Sequence, residues 1–185
     1  ASGPMGHLTG ILAHGREGDE MIVGKAAQTF KYEAGGAAAL GGVHPHTIPV
    51  GADGTLDLDD IRHAIRDDDV HYPRTRLVEI ENTQGTVGGI SLTPEYTQAV
   101  RALCDEYGLL LHIDGARIWN AAAALGVPVS ELAAPADSIT FCLSKGLCEP
   151  VGSVLCGSQD FINRARRVRK MLGGGMRQAG VGRAA

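Results

Sequence analysis

At residues 138–147 the chain reads SITFCLSKGL, a strand-like apolar run that ends in Lys145. A second run of the same kind, LLLHIDGAR at residues 109–117, brings Asp114 to the point where a buried strand ends. We expect one helical segment between these two strands, as in the crossover unit of a parallel sheet. The carboxyl ends of both strands then open on the same sheet edge, where ligands bind in open α/β sheets.

The rest of the chain alternates between strand-like and helix-like segments. We expect further strands at residues 20–23, 43–50, 76–83 and 152–156, and helices at 8–14, 32–40, 58–65, 94–107, 118–125 and 159–171. Ser2 is expected to cap the first helix, with Pro4 in its first turn, and Asp57 is expected to cap the third. This order predicts the fold class α/β, with three αβα layers around a mostly parallel sheet.

The composition is that of a soluble globular domain. The 185 residues are 44% hydrophobic and 21% charged, enough to bury a substantial core. The net charge of −4 argues against nucleic acid or an anionic membrane as a partner. No apolar run is long enough to span a membrane.

The four cysteines lack CxxC spacing, which favours packed free thiols over zinc or disulfides. Free thiols predict a reducing, cytoplasmic location.

The residues at the predicted sheet edge suggest cofactor chemistry. Lys145 stands among apolar neighbours, so we expect a poorly solvated, nucleophilic amine suited to Schiff-base formation. Asp114 can hold a proton on a pyridine nitrogen, and Arg117 can reach a carboxylate or a phenolic oxygen. The loop at Ser2 and Gly3 leads into a helix N-terminus, which can hold a phosphate. Together these groups fit pyridoxal 5′-phosphate. Each also has a simpler interpretation: a lysine on a turn, a local ion pair and a plain helix cap.

Three longer stretches resemble one known family. They are HIDGARIWNA at residues 112–121, FCLSKGL at 141–147 and KMLGGGMRQAG at 170–180. They are similar to the low-specificity L-threonine aldolases, as are the shorter stretches 32–36, 54–57 and 81–83. The resemblance implies a fold-type-I pyridoxal-phosphate enzyme of the aspartate aminotransferase-like superfamily. Residues 1–185 would be its cofactor-binding large domain, truncated at both ends and without the small C-terminal domain.

The resemblance also implies roles for particular residues. Those expected at the cofactor are Lys145, Asp114, Arg117, Gly3, Pro4, Gln28, Ser144 and Arg177. Lys145 would form the internal aldimine, Asp114 would pair with the pyridinium, and Arg117 would contact the substrate carboxylate or the cofactor; these are the expected catalytic residues. Gly3 and Pro4 would lie in the phosphate cup beside Ser144. Arg177 would act near the site, from the same or a neighbouring subunit.

The implied reaction is the cleavage of L-threonine or L-allo-threonine to glycine and acetaldehyde, as in threonine catabolism and glycine biosynthesis. The implied partners are a small amino-acid substrate and further copies of the chain, in a dimer or tetramer. No metal is expected.

Three positions depart from the family pattern. Pro4 replaces a threonine of the phosphate loop, so that a hydroxyl and a backbone N–H are lost. Gln28 replaces a histidine that stacks on the cofactor. Gln84, on the substrate side, replaces a histidine proposed to deprotonate the substrate hydroxyl, which glutamine cannot do. Two alternatives to the aldolase therefore stay open: a non-catalytic or decayed relative that keeps the fold and assembly surface, and a lyase for another β-hydroxy amino acid. The joint presence of Asp114, Arg117 and Lys145 disfavours a domain without cofactor.

Overall fold

A computed structural model of the chain describes residues 2–178. Its described part contains one sheet, whose strands are β1 Asp19–Gly24, β2 His44–Ile48, β3 Arg74–Glu81, β4 Leu110–Asp114, β5 Ser138–Cys142 and β6 Ser153–Gly157. The spatial order is β2-β1-β3-β4-β5-β6. The first five strands are parallel, and β6 runs antiparallel to β5. The prediction of a mostly parallel α/β sheet is confirmed.

Helices cover both faces of the sheet. They are α1 Gly3–His14, α2 Gln28–Lys31, α3 Gly36–Gly41, α4 Leu58–Ala64, α5 Pro94–Tyr107, α6 Ile118–Leu125, α7 Val129–Ala133 and α8 Gln159–Met171. One face carries α4, α5, α6 and α7, and the other carries α1, α3 and α8. The three-layer arrangement is therefore also confirmed. None of these helices, within residues 2–178, combines the length and hydropathy needed to cross a bilayer.

The alternation of side chains along the strands decides what lies under α1. Val78 and Ile80 on β3, and Leu111 and Ile113 on β4, pack into the core on the α5 side. Because successive side chains of a strand point to opposite faces, the residues between and beside them point to the α1 side. Those residues are Glu79, His112 and Asp114. Polar groups are thus buried on the face that α1 covers.

The predicted helices at 94–107, 118–125 and 159–171 match α5, α6 and α8. Two expectations about helices were wrong. The helix predicted at 32–40 is only the shorter α3, Gly36–Gly41, because Ala34 and Gly35 have left-handed φ values of 53° and 67° that a helix cannot continue through. Two helices rather than one connect β4 to β5, because Gly126 ends α6 at φ 69° and the chain restarts after Pro128.

All four cysteines lie within the described residues and are free thiols. Cys104 and Cys142 are buried as expected, whereas Cys148 and Cys156 are exposed. The prediction of packed thiols therefore holds for only two of the four.

Candidate active site

Asp114 lies in the middle of the sheet edge formed by the carboxyl ends of the parallel strands. It is paired in register with Glu81 of β3 on one side and with Thr140 of β5 on the other. The hydrogen bonds between neighbouring strands continue beyond the strand ends. The Asn82 N–H donates to the Asp114 carbonyl at 2.8 Å, and the Gly115 N–H donates to the Thr140 carbonyl at 2.8 Å. This confirms that the two strands of the sequence analysis share one edge.

The N-terminus of α1 lies against the end of β5. The Ser2 hydroxyl accepts a hydrogen bond from the Met5 N–H at 3.3 Å, so Ser2 caps the helix as predicted. This close approach depends on Gly6, since a Cβ there would lie only 2.8 Å from Thr140 Cγ2. Gly3 is also near β5, with a Cβ position 3.5 Å from Cys142 Sγ. The free N–H groups of a first helical turn attract anions. Gly3 and Pro4 thus stand at a place suited to a phosphate, although Pro4 contributes no N–H.

The carboxylate of Asp114 is only partly satisfied by the protein. Asp114 is 1% exposed, and its Oδ1 accepts a hydrogen bond from the Ala116 N–H at 3.0 Å. Its Oδ2 is buried without a hydrogen-bond partner among the described residues. Burial raises the pKa of Asp114, but the positive charge of His7, its hydrogen bond and the Ala116 N–H outweigh burial and lower it. An ionised carboxylate with one free oxygen fits a protonated ring nitrogen.

His7 on α1 bridges Asp114 to a second acidic residue. Its Nε2 lies 3.0 Å from Asp114 Oδ1, and its Nδ1 lies 2.6 Å from Glu33 Oε1. Burial lowers the pKa of His7, but the charges of Asp114 and Glu33 and their hydrogen bonds raise it well above its usual value. Neither His7 nor Glu33 was a predicted site residue. The signals in the sequence are a histidine within the first helix and the family-like stretch 32–36, which contains Glu33.

The loop after β3 gathers both glutamines that depart from the family pattern. Glu81 Oε2 accepts hydrogen bonds from Gln84 Nε2 at 2.8 Å and from the Gln28 N–H at 3.1 Å. Gln84 Oε1 in turn accepts from the Val87 N–H at 3.1 Å. Gln84 is 2% exposed with both ends of its amide engaged, so its side chain shapes this loop. The structure thus brings Gln28 and Gln84 together beside the end of β4.

Lys145 lies on a turn after β5 and is exposed, as is the adjacent Ser144. The expectation of a poorly solvated lysine was wrong, because the apolar residues before it belong to the strand and the turn carries Lys145 beyond them. The turn is fixed against α6, since a Cβ on Gly146 would lie 3.1 Å from Asn120 Cγ.

Two arginines occupy different surroundings. Arg117 is exposed before α6, and its guanidinium lies 3.5 Å from where a Gly85 Cβ would be, beside the loop after β3. Arg177 is exposed near the end of the described chain. The glycine segment before Arg177 lies next to α1, since a Cβ on Gly174 would be 3.4 Å from Met5 Cγ. The segment preceding Arg177 is therefore close to the first turn of α1.

The chain is similar to known proteins over nearly all of its length. The profile of the beta-eliminating lyase family matches residues 1–185. Low-specificity L-threonine aldolase 1 of Arabidopsis thaliana is 51% identical over 183 residues, covering 97% of this chain and 51% of that protein. The low specificity L-threonine aldolase of Escherichia coli K12 is 48% identical over 180 residues, covering 97% and 53%. The chain thus spans about half the length of the curated relatives it matches.

Solved structures support the same fold. A threonine aldolase of Leishmania major superposes with a TM-score of 0.80 at 24% identity, covering 94% of this chain and 50% of that one. The N-succinyldiaminopimelate aminotransferase of Mycobacterium tuberculosis superposes with a TM-score of 0.69 at 20% identity, covering 99% and 48%. At these identities the likeness establishes the fold alone.

Proposed function

The chain belongs to the beta-eliminating lyase family, and from that premise we propose that it is the cofactor-binding large domain of a pyridoxal-phosphate-dependent aldehyde-lyase. The proposed reaction is the cleavage of L-threonine or L-allo-threonine to glycine and acetaldehyde. The observation that carries the proposal is the free, buried Oδ2 of the ionised Asp114 at the ligand-binding edge of the sheet. The names of the relatives that are about half identical support the reaction class.

The residues present fit the cofactor in three places. Asp114 would hold the ring nitrogen through its free oxygen. The first turn of α1 at Gly3 and Pro4 would hold the phosphate, and the family resemblance adds Ser144 to this site. Lys145 would supply the amine for covalent attachment, and its exposure leaves that amine accessible. When bound, the cofactor supplies an electron sink for cleavage of the Cα–Cβ bond of the substrate.

The remaining steps fall to the chain's own residues. Asp114, kept ionised by its surroundings, would hold a proton on the ring nitrogen of the bound cofactor. Arg117 presents a guanidinium beside the loop after β3, where it would bind a substrate carboxylate. Gln84 has no titratable proton at neutral pH, and both ends of its amide are bonded. We therefore assign the deprotonation of the substrate hydroxyl to water or to a group other than Gln84.

Residues 1–185 would form the large domain, and assembly into a dimer or tetramer would complete the site, with Arg177 and Gln28 at its margin. The substrate is a small amino acid, and the cytoplasm is the proposed location. These finer statements follow from the family resemblance.

A non-catalytic relative is the second candidate, because Gln84 is engaged in the loop where a base is expected. Both candidates share the cofactor site and differ in turnover.

The test of the cofactor site is the visible absorbance of the purified chain with pyridoxal 5′-phosphate. We expect a band in the wild-type chain that shifts on adding L-threonine or glycine and that Lys145→Ala abolishes. Lys170→Ala is the control for loss of an exposed lysine, since Lys170 lies on α8 rather than on the turn after β5. A band that persists in Lys145→Ala, or none in the wild type, would overturn the proposed cofactor linkage.

A further inference from the structure

A cluster of buried acidic groups surrounds His7 beneath α1. Asp114 and Glu33 contact its two ring nitrogens at 3.0 and 2.6 Å. Glu79 of β3 is 1% exposed, and neither of its carboxyl oxygens has a hydrogen-bond partner among the described residues. The side chains of His7, Glu33 and Asp114 are 2%, 6% and 1% exposed. Apart from Asp114, none of these residues has a role in the proposed chemistry.

A positive His7 offsets one of the two negative charges that flank it in this cluster. Two buried carboxylates beside a neutral imidazole would be uncompensated, which is costly in a protein interior. Burial raises the pKa of Glu79 to about 8, so Glu79 is protonated at neutral pH and adds no charge. An imidazolium between Glu33 and Asp114 leaves one net negative charge. A protonated ring nitrogen on the free oxygen of Asp114 would neutralise that charge.

We propose that His7 is a positioning residue of the site: its imidazolium, held by Glu33, keeps Asp114 ionised and leaves the second oxygen of Asp114 free for the cofactor. The identity of the ring on that oxygen rests on the proposed function, whereas the effect of His7 on Asp114 does not. His7 acts through Asp114 and is not placed in contact with the substrate.

The other titratable groups facing His7 do not replace it. Glu79 and Glu81 of β3 carry acidic groups, so neither can compensate Asp114. His112 of β4 is buried, which lowers its pKa to about 3 and leaves it neutral. His7 is therefore the cation that stabilises the Asp114 carboxylate from within this cluster.

His14 provides a matched control on the same helix. It is buried two turns further along α1, and its Nε2 lies 2.6 Å from Ser138 Oγ. Burial lowers the pKa of His14 to about 4, so it is neutral. His14→Asn removes a buried histidine from α1 without removing a contact to Asp114. His14→Asn therefore shows whether losing any buried histidine from α1 changes the pKa of Asp114, or only the loss of His7.

The experiment measures Asp114 directly, in the chain without cofactor. The ¹³C carboxyl resonance of Asp114, assigned by Asp114→Asn, is titrated in the wild type, His7→Asn and His14→Asn. Loss of an adjacent opposite charge is expected to raise the pKa of Asp114 by about 1 to 3 pH units in His7→Asn, and not in His14→Asn. His7→Gln is a second variant if His7→Asn does not fold, since it also keeps an amide donor without the charge. An unchanged Asp114 titration in the folded variant would overturn the proposal.

A second readout uses pyridoxal 5′-phosphate itself. The pH below which the chain loses the cofactor band should move upward by the same amount in His7→Asn and stay in place in His14→Asn. If the wild-type chain forms no band, the proposed function fails, and the effect of His7 on Asp114 is still decided by the carboxyl titration. If the band forms with the same pH profile in His7→Asn, the positioning role is refuted while the proposed function stands.

Discussion

Replacing Glu79 by glutamine is expected to make the chain less sensitive to alkaline pH. Burial raises the pKa of Glu79 from 4.5 to about 8, against the opposing charge of His7. Between these two values the folded chain holds a proton that the unfolded chain has released, so stability falls as the pH rises. The loss is about 1.4 kcal/mol per pH unit while the coupling is complete. It amounts to roughly 2 kcal/mol between pH 6 and pH 8, because the folded carboxyl itself begins to ionise near pH 8.

Urea unfolding at pH 6, 7 and 8, followed by the fluorescence of Trp119, measures this effect. The free energy of unfolding of Glu79→Gln, relative to wild type, should grow by about 2 kcal/mol across that range. The raised pKa of His7 also makes stability fall above its ordinary titration range, but His7 is present in both proteins, so its contribution largely cancels in the difference. Glu106→Gln, at an exposed position on α5, should follow the wild type. A pH-independent difference between Glu79→Gln and wild type would refute the reasoning.

Two further changes probe the site. Gly146→Ala should weaken the Lys145-dependent absorbance band, because the new Cβ would lie 3.1 Å from Asn120 Cγ, so that the Asn120 side chain and the lysine turn must move apart. The second change Asn120→Ala should restore the band. Pro4→Thr should tighten cofactor binding by about two- to thirteenfold, because it restores a backbone N–H and a hydroxyl at the first turn of α1. One net hydrogen bond contributes about 0.5 to 1.5 kcal/mol. Titration of the band with pyridoxal 5′-phosphate measures both.

The following results would contradict these two predictions. A full-strength band in Gly146→Ala would show that the contact with Asn120 does not position Lys145. Unchanged or weaker cofactor binding by a folded Pro4→Thr variant would show that this turn does not hold the phosphate. Pro73→Thr, at a half-buried position in the loop before β3, tests whether loss of a proline has a general effect.

The parts of the structure that follow from local sequence were predictable. The Ser2 and Asp57 caps depend on side chains within three residues of the N–H groups they accept from. The edge position of Asp114 follows from an apolar strand that ends in a turn. A helix-favouring run of alanines misled the prediction at residues 32–40, because Ala34 and Gly35 adopt left-handed backbone angles that alanine content does not reveal.

The cluster around His7 could not be predicted in this way. His7 is on α1, Glu33 follows 26 residues later between α2 and α3, and Asp114 is at the end of β4. Their contact depends on α1 crossing the edge at β5, which Gly6 permits. The exposure of Lys145 depends on the direction of a turn, which the apolar residues around it do not specify. Both features arise from tertiary structure rather than from spacing.

The most direct test of the central claim is the formation of acetaldehyde from L-threonine by the chain with pyridoxal 5′-phosphate, coupled to NADH oxidation by alcohol dehydrogenase. We predict cofactor-dependent acetaldehyde formation by the wild type and Lys170→Ala, and none by Lys145→Ala or Asp114→Asn. A wild-type chain that forms the Lys145-dependent band but releases no acetaldehyde would contradict threonine aldolase activity and favour the non-catalytic relative. Acetaldehyde formation that is equal in Lys145→Ala would contradict the assigned site itself.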